Sequence, residues 1–263
     1  MWTEEYWDIQ RRAFWGIRRY FAKRITPLCL DCAANKPDPS KHSFSKFDQR
    51  LRNEEVFLND ILNLLMRLAP QCLYKLLVEY NFDLVIGKDD YFESLGNGYR
   101  SHLNVNANIT QPDFFAVGHG STFAIELKLG AKTDLRQVLL YLALAAANEQ
   151  KIGREQQHFL LLLTPNRSFC NVWKERFANL EEVRSAFSEA ASNPSCIAPK
   201  QSAFLHQYDL PSILSRFHLA HMTFTDFAFA LDSLRPPAVR SSADEVLDKL
   251  LGDAASEMRK YDR

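Results

Sequence analysis

The chain has 263 residues, 46% of them hydrophobic, which permits one good-sized core with embellishments or one domain with a small appendage. Its 32 Lys and Arg balance 32 Asp and Glu, so no global field marks it as a polyanion binder, and any such role must rest on a local basic strip. No uninterrupted apolar run reaches bilayer length, Val138 to Ala147 being the longest candidate, which excludes a membrane-spanning helix.

Met1-Trp2-Thr3-Glu4-Glu5 lacks the basic start and apolar stretch of a signal peptide, so no leader is expected. Five cysteines, an odd number, fit a reducing compartment and a cytoplasmic location. Cys29 and Cys32 form a single Cys-x-x-Cys, while Cys72, Cys170 and Cys196 stand apart. A closed zinc site needs four ligands, so neither a metal nor a redox role is read here.

Residues 2–24 read as a helix rich in Trp, Tyr and Phe, interleaved with Arg11, Arg12, Arg18, Arg19, Lys23 and Arg24. That mixture suits gripping a phosphate backbone, lying on a membrane surface, or docking aromatics on a core with the arginines solvated. Docking is preferred; under the first use Arg11, Arg12, Arg18 and Arg19 are the phosphate contacts. A proline-bearing polar link, 35–46, follows.

Asn53 caps a helix to about Leu68, with Glu54 and Glu55 in the first turn, where carboxylates complement the helix dipole. Glu54, Phe57, Leu58, Ile61, Leu64, Leu65 and Leu68 form its stripe, and a carboxylate heading a buried stripe needs a partner. Helical turns follow over 71–80, then short strand pieces at 84–86 and 91–93. The loosely alternating stretch 99–106 reads as the first long strand. Arg100 and His102 there can touch phosphate, and Glu79 and Glu93 are lesser ligand candidates.

The centre of the chain runs from Gln111 to Tyr141. Phe114 to Val117, the turn residues Gly118-His119-Gly120 and the following alternating run predict a hairpin. On its second strand Phe123, Ile125, Leu127 and Leu129 point one way and Thr122, Ala124, Glu126 and Lys128 the other. Pairing brings Asp113 near Glu126 and Lys128. Two carboxylates and an ammonium at one sheet end suit metal-assisted hydrolysis, because a hard cation such as Mg²⁺ takes carboxylate, water and phosphate oxygens. A bare Glu-x-Lys on a strand is commonly just an exposed ion pair, so the weight lies on the conjunction. Thr133 is expected to cap a helix over 134–148, with an apolar face of Leu135, Val138, Leu139, Leu142 and Ala145 or Ala146, and with Gln137 and Tyr141 on one side. A buried strand over 158–164 ends at Pro165.

Pro112-Asp113, Glu126-Leu127-Lys128 and the downstream Gln137-x-x-x-Tyr141 together resemble the signature of the PD-(D/E)xK nuclease superfamily, RecB-like branch. The resemblance covers about the middle third to half of the chain. It implies an α/β restriction-endonuclease-like fold, an α-β-β-β-α-β core with a mixed sheet flanked by helices. It further implies a Mg²⁺-dependent nuclease, with Mn²⁺ substituting and DNA preferred over RNA. Asp113 and Glu126 would hold the metal, with the Leu127 carbonyl and Glu54 as further ligands and Glu55 in reserve. Lys128 would assist the attacking water, Gln137 and Tyr141 would support the site, and Lys132 and Arg100 would contact nucleic acid. The iron-sulfur variety of that branch has a cysteine cluster near its C-terminal end; none stands here, and no cluster is expected.

Beyond the core, helices are read at 171–177 and 181–191, a loop at 192–201, a short helix at 212–217, a strand at 218–224 and a helix at 225–234. His218 and His221, three apart, suggest a metal pair, though packing or surface roles are commoner. Ser241 or Ser242 caps a last helix with Val246, Leu247, Leu250, Leu251 and Met258 on one side, to be buried on the body or on a second copy. The expected organisation is an N-terminal arm and linker (1–46), a nuclease-like core (47–166) and a C-terminal α/β extension packed on it (167–263). The competing reading is a catalytically silent protein of this fold that binds nucleic acid or a protein partner. Defence against foreign DNA, or repair, is suggested by analogy alone.

Overall fold

The computed structural model describes residues 112–129, 132–165, 169–192 and 199–262, together with Thr110 and positions 58, 61, 62, 65, 78, 82, 92–94 and 103. Five strands form one mixed sheet in the order β1-β2-β3-β4-β5. Strands β1 (Phe92–Ser94), β2 (Phe114–Gly118) and β3 (Ser121–Leu127) are an antiparallel run, and β4 (Gln157–Thr164) and β5 (Phe217–Thr223) add in parallel. Each parallel step needs a crossover. Helix α1 (Leu135–Ile152) carries the chain from β3 to β4, and α2 (Leu180–Ser192), α3 (Pro199–Leu205) and α4 (Leu210–Ile213) carry it from β4 to β5. Two further helices, α5 (Phe224–Ser233) and α6 (Ser242–Arg259), follow β5.

The hairpin and the alternation of β3 are as the sequence reads. Phe123, Ile125 and Leu127 enter one core with Phe114, Phe159, Leu161 and Leu163, and Ala124 enters the other with Phe115, Leu160 and Leu162. The first core is roofed by the helical residues Leu58, Ile61, Leu62 and Leu65, whose i, i+3, i+4, i+7 spacing is one helix face, and by α5 and α6. The second is roofed by α1, α2, α3 and α4. Helix α1 is buried without interruption from Val138 to Glu149, because the sheet covers one side and α2 to α4 the other. Ala143, Ala145, Ala146 and Ala147 let these backbones approach closely.

Several expectations give way. Leu103, within the stretch expected to be a long strand, is helical; Asn104 and Asn106 beside it disfavour strand, and two apolar residues are too few to fix a period. Thr133 does not cap α1, since its backbone is committed to a parallel bridge with Trp173, Thr133 N–H donating to Val172 O (2.8 Å) and Lys174 N–H to Thr133 O (2.9 Å). Asp134 is the cap, its Oδ1 accepting from Gln137 N–H at 3.0 Å. At the far end Gly153 takes φ 70°, a left-handed value that glycine adopts without strain, and its N–H closes on Glu149 O at 2.8 Å.

Residues 171–177 are not a helix. A 3-10 turn, Phe169–Asn171, leads into the Trp173 bridge, and Arg176 takes φ 58°. Helix α3 begins inside the stretch expected to be loop, at Pro199. The stripe of α6 buries on α5 and the first core through Leu250, Leu251 and Met258, but Val246 points to solvent with 66% of its surface exposed. Residues from 167 onward thus contribute a strand to the same sheet as the hairpin. Among the described residues no helix is long and apolar enough to cross a membrane.

Candidate active site

The register of the hairpin pairs Phe114 with Ile125. One step further places Asp113 opposite Glu126, and cross-strand partners share a face. Glu126 stands on the α1 side of β3, 3% exposed, and Lys128, just past the strand, on the same side at 8%. Parallel pairing carries the ladder on, Lys128 N–H donating to Leu163 O at 3.0 Å. Leu127 therefore turns its backbone the other way, toward β2, and its N–H donates to Asp113 Oδ2 at 2.8 Å. In an extended strand the carbonyl of a residue points to the same side as its N–H, so the Leu127 carbonyl also faces the Asp113 side.

Three donors converge on Glu126. Lys128 Nζ and Gln137 Nε2 each reach Oε1 at 2.5 Å, and the Tyr141 hydroxyl donates to Oε2. Gln137 and Tyr141 lie one helical turn apart, so the same face of α1 delivers both. Burial, and then the charge of Asp113, push the Glu126 carboxyl up to about 7 despite Lys128 and Tyr141. Burial and the Glu126 charge push the Tyr141 hydroxyl well above its ordinary range, so it stays a donor. This is a cluster with more negative charge than its buried ammonium offsets, and an added cation would relieve it. Half-buried Asp113 and buried Glu126 are its two carboxylates. Among the described residues no three His, Cys, Asp or Glu side chains converge on a common metal position.

Of the residues singled out from sequence, Asp113, Glu126, Leu127, Lys128, Gln137 and Tyr141 come together here. Lys132 lies exposed at the approach to α1. Glu54, Glu55, Arg11, Arg12, Arg18, Arg19 and Arg100 lie outside the described residues. The backbone of Glu93 pairs with Val117, at the other end of β2 and about 13 Å along the strand from Asp113. His218 and His221 cannot share a metal, because an odd separation on a strand sends them to opposite faces. His218 stacks on Phe159 in the first core, whereas His221 meets Thr164 Oγ1 at 2.8 Å and the edge of Phe169 on the other face.

A second buried polar group, not anticipated, lies at the opposite end of β3 and β4. His158 Nε2 is 3.0 Å from Glu149 Oε1, and its Nδ1 is 2.7 Å from Thr122 Oγ1. Arg216 grips Glu149 through Nε and Nη2 at 3.0 and 2.8 Å, and Gln156 N–H donates to Glu149 at 2.9 Å. Burial holds the His158 imidazole down, at about 4. The ionised Glu149 only accepts, so Nε2 carries the proton and the Thr122 hydroxyl donates to Nδ1. The order Thr-His-Glu looks like a nucleophile chain, but Thr122 is 3% and His158 1% exposed. No substrate reaches them, and the group fastens the end of α1 to the sheet. Only the polar residues at buried positions of α1 and β4, Asn148, Glu149 and His158, could have signalled it in the sequence.

Comparison of the chain with family models, with curated proteins and with solved structures finds no match.

Proposed function

We propose that the protein is a metal-dependent nuclease, hydrolysing phosphodiester bonds in nucleic acid, DNA preferred. The observation that carries this reading is the facing of Asp113 and Glu126 across the β2–β3 pair, with Lys128 on Glu126 and with Gln137 and Tyr141 fixing the same carboxylate from α1. The chain order is consistent with a restriction-endonuclease-like core: helical residues at 58, 61, 62 and 65, an antiparallel run of three strands, a crossover helix and a parallel fourth strand.

The donor set fits a hard divalent cation. Mg²⁺ binds through one or two carboxylates and keeps several waters for substrate oxygens to replace, and Asp113, Glu126 and the Leu127 carbonyl are the groups that would hold it, with Mn²⁺ as a substitute. When bound, such an ion lowers the pKa of a water and offsets charge developing on the phosphoryl group. The chain's own residues set the rest. Lys128, with its ammonium at the carboxylate, orients the attacking water. Gln137 and Tyr141 hold Glu126 in one rotamer, and burial under α1 excludes bulk solvent.

Purified protein incubated with supercoiled plasmid should nick or linearise it with Mg²⁺ and not with EDTA, and Asp113→Ala and Lys128→Ala should each abolish cutting while leaving the melting transition in place. Wild-type cutting by both variants refutes the assignment of roles. Failure of the intact protein to cut DNA with either Mg²⁺ or Mn²⁺ removes the deoxyribonuclease reading.

A further inference from the structure

The first turn of α1 collects positive charge. Asp134 Oδ2 accepts from both Arg136 Nη2 (3.1 Å) and Lys174 Nζ (2.8 Å), and each of those cations is 54% exposed. Lys132 and Arg176 are exposed on the same two segments, and among the described residues neither pairs with a carboxylate. Two cations on one carboxylate oxygen exceed what neutralising Asp134 requires. Glu175 lies on the same rim, its Oε1 accepting from Leu135 N–H at 3.2 Å. Four cations thus face the two carboxylates Asp134 and Glu175, and in a chain of zero net charge that positive excess is a local field of the kind that a polyanion follows.

The rim is held rigidly and sits beside the candidate site. The Thr133–Trp173 bridge ties the segment before α1 to the turn carrying Lys174 and Arg176. Arg176 has φ 58°, a strained value for a residue with a side chain, which persists only where its surroundings impose it and which clusters where binding is done. Gln137, whose amide reaches Glu126 at 2.5 Å, belongs to this same turn, its N–H bound by Asp134. One helical turn, about 5 Å, separates the Asp134 cap on the rim from Gln137, the residue that reaches Glu126.

We propose that Lys132, Arg136, Lys174 and Arg176 form the track for the DNA backbone, contacting phosphates adjacent to the one beside Asp113 and Glu126. The proposal rests on the nuclease reading for its substrate, and it adds residues of the turn after β4 that belong to no motif. Contacts of this kind carry no base information, and they leave a salt signature, since each neutralised phosphate releases counterions.

The test is binding of a fluorescein-labelled DNA duplex of about 20 base pairs, followed by anisotropy in EDTA so that nothing is cut, across a salt series. The triple variant Lys132→Gln/Lys174→Gln/Arg176→Gln should flatten the slope of log affinity against log salt by about three relative to wild type, each lost contact being about a threefold change over a fourfold rise in salt. Arg240→Gln/Lys249→Gln, at exposed positions beside and on α6, should keep the wild-type slope. A triple variant that melts like wild type and keeps its slope overturns the track. The same holds if the control flattens as much. The plasmid assay separates the two readings: a flattened slope in a protein that cannot cut keeps the track and loses the nuclease, whereas metal-dependent cutting with an unchanged slope does the reverse.

Discussion

His158 gives the sharpest quantitative test of the fold. Its imidazole is held down at about 4 by burial, against an ordinary value of 6.5. The charges facing it are Glu149, which opposes the shift, and Arg216 and His218, which add to it. A group whose folded pKa lies below its unfolded one contributes stability that is complete above the unfolded value and is lost as pH falls toward the folded one. The separation corresponds to about 3 kcal/mol in all, of which about 2 kcal/mol disappears between pH 6.5 and pH 5. Glu149 also sits below its ordinary range: burial opposes this most strongly, but the hydrogen bonds from Arg216, Gln156 N–H and His158 together outweigh it. That carboxylate titrates only under the ordinary glutamate value of 4.5, so it leaves this window to histidine.

His218 is lowered as well, by burial and Arg184, and contributes in the same direction. The comparison must therefore be with His158→Gln, whose amide can donate to Glu149 and accept from Thr122 without titrating. Urea unfolding at pH 5, 6 and 7, extrapolated to water, should show wild type losing about 2 kcal/mol more than the variant. Parallel pH profiles, or an NMR titration of His158 with a midpoint near the ordinary value, would falsify the neutral buried tautomer.

Tyr141→Phe should reduce cleavage about 10- to 100-fold with DNA affinity in EDTA unchanged, because it takes a donor from a carboxylate that must stay in place; steady-state kinetics beside anisotropy reads both. Asp134→Ala removes the α1 cap and the acceptor for Arg136 and Lys174, and should cost about 1–2 kcal/mol in chemical denaturation, with Asp134→Asn recovering most of it. Gly153→Ala should destabilise by about 1 kcal/mol although its Cβ would meet nothing within 4 Å, since the penalty lies in the backbone angle. Leu58→Ala, at a position with no exposed surface, should cost about 2–5 kcal/mol by the same measurement.

What could be read from the residues was local. The alternation of β3 put Glu126 and Lys128 on one face, and the i, i+4 spacing of Gln137 and Tyr141 put both over that face; neither needs a distant part of the chain. The cap of α1 lies one position beyond Thr133 because two good capping residues, Thr133 and Asp134, stand side by side, and Trp173, 40 residues on, decides between them by pairing with the Thr133 backbone. The joining of Glu149 to Arg216 spans 67 residues and follows from how β5 lies beside β4, which no window of sequence contains. Lys174 and Arg176 look like ordinary surface charge until that fold returns them to the start of α1.

Helix α1 is anchored at both ends to the same pair of strands, through Gln137 and Tyr141 on Glu126 at one end and through Glu149 on His158 at the other, and every residue from Val138 to Glu149 is enclosed. It behaves as a splint. A force that tilts either end meets packed neighbours along the whole length, so strain travels lengthwise instead of dissipating. Loosening the histidine end by acid, far from any phosphate, should therefore slacken the grip on the carboxylate at the other.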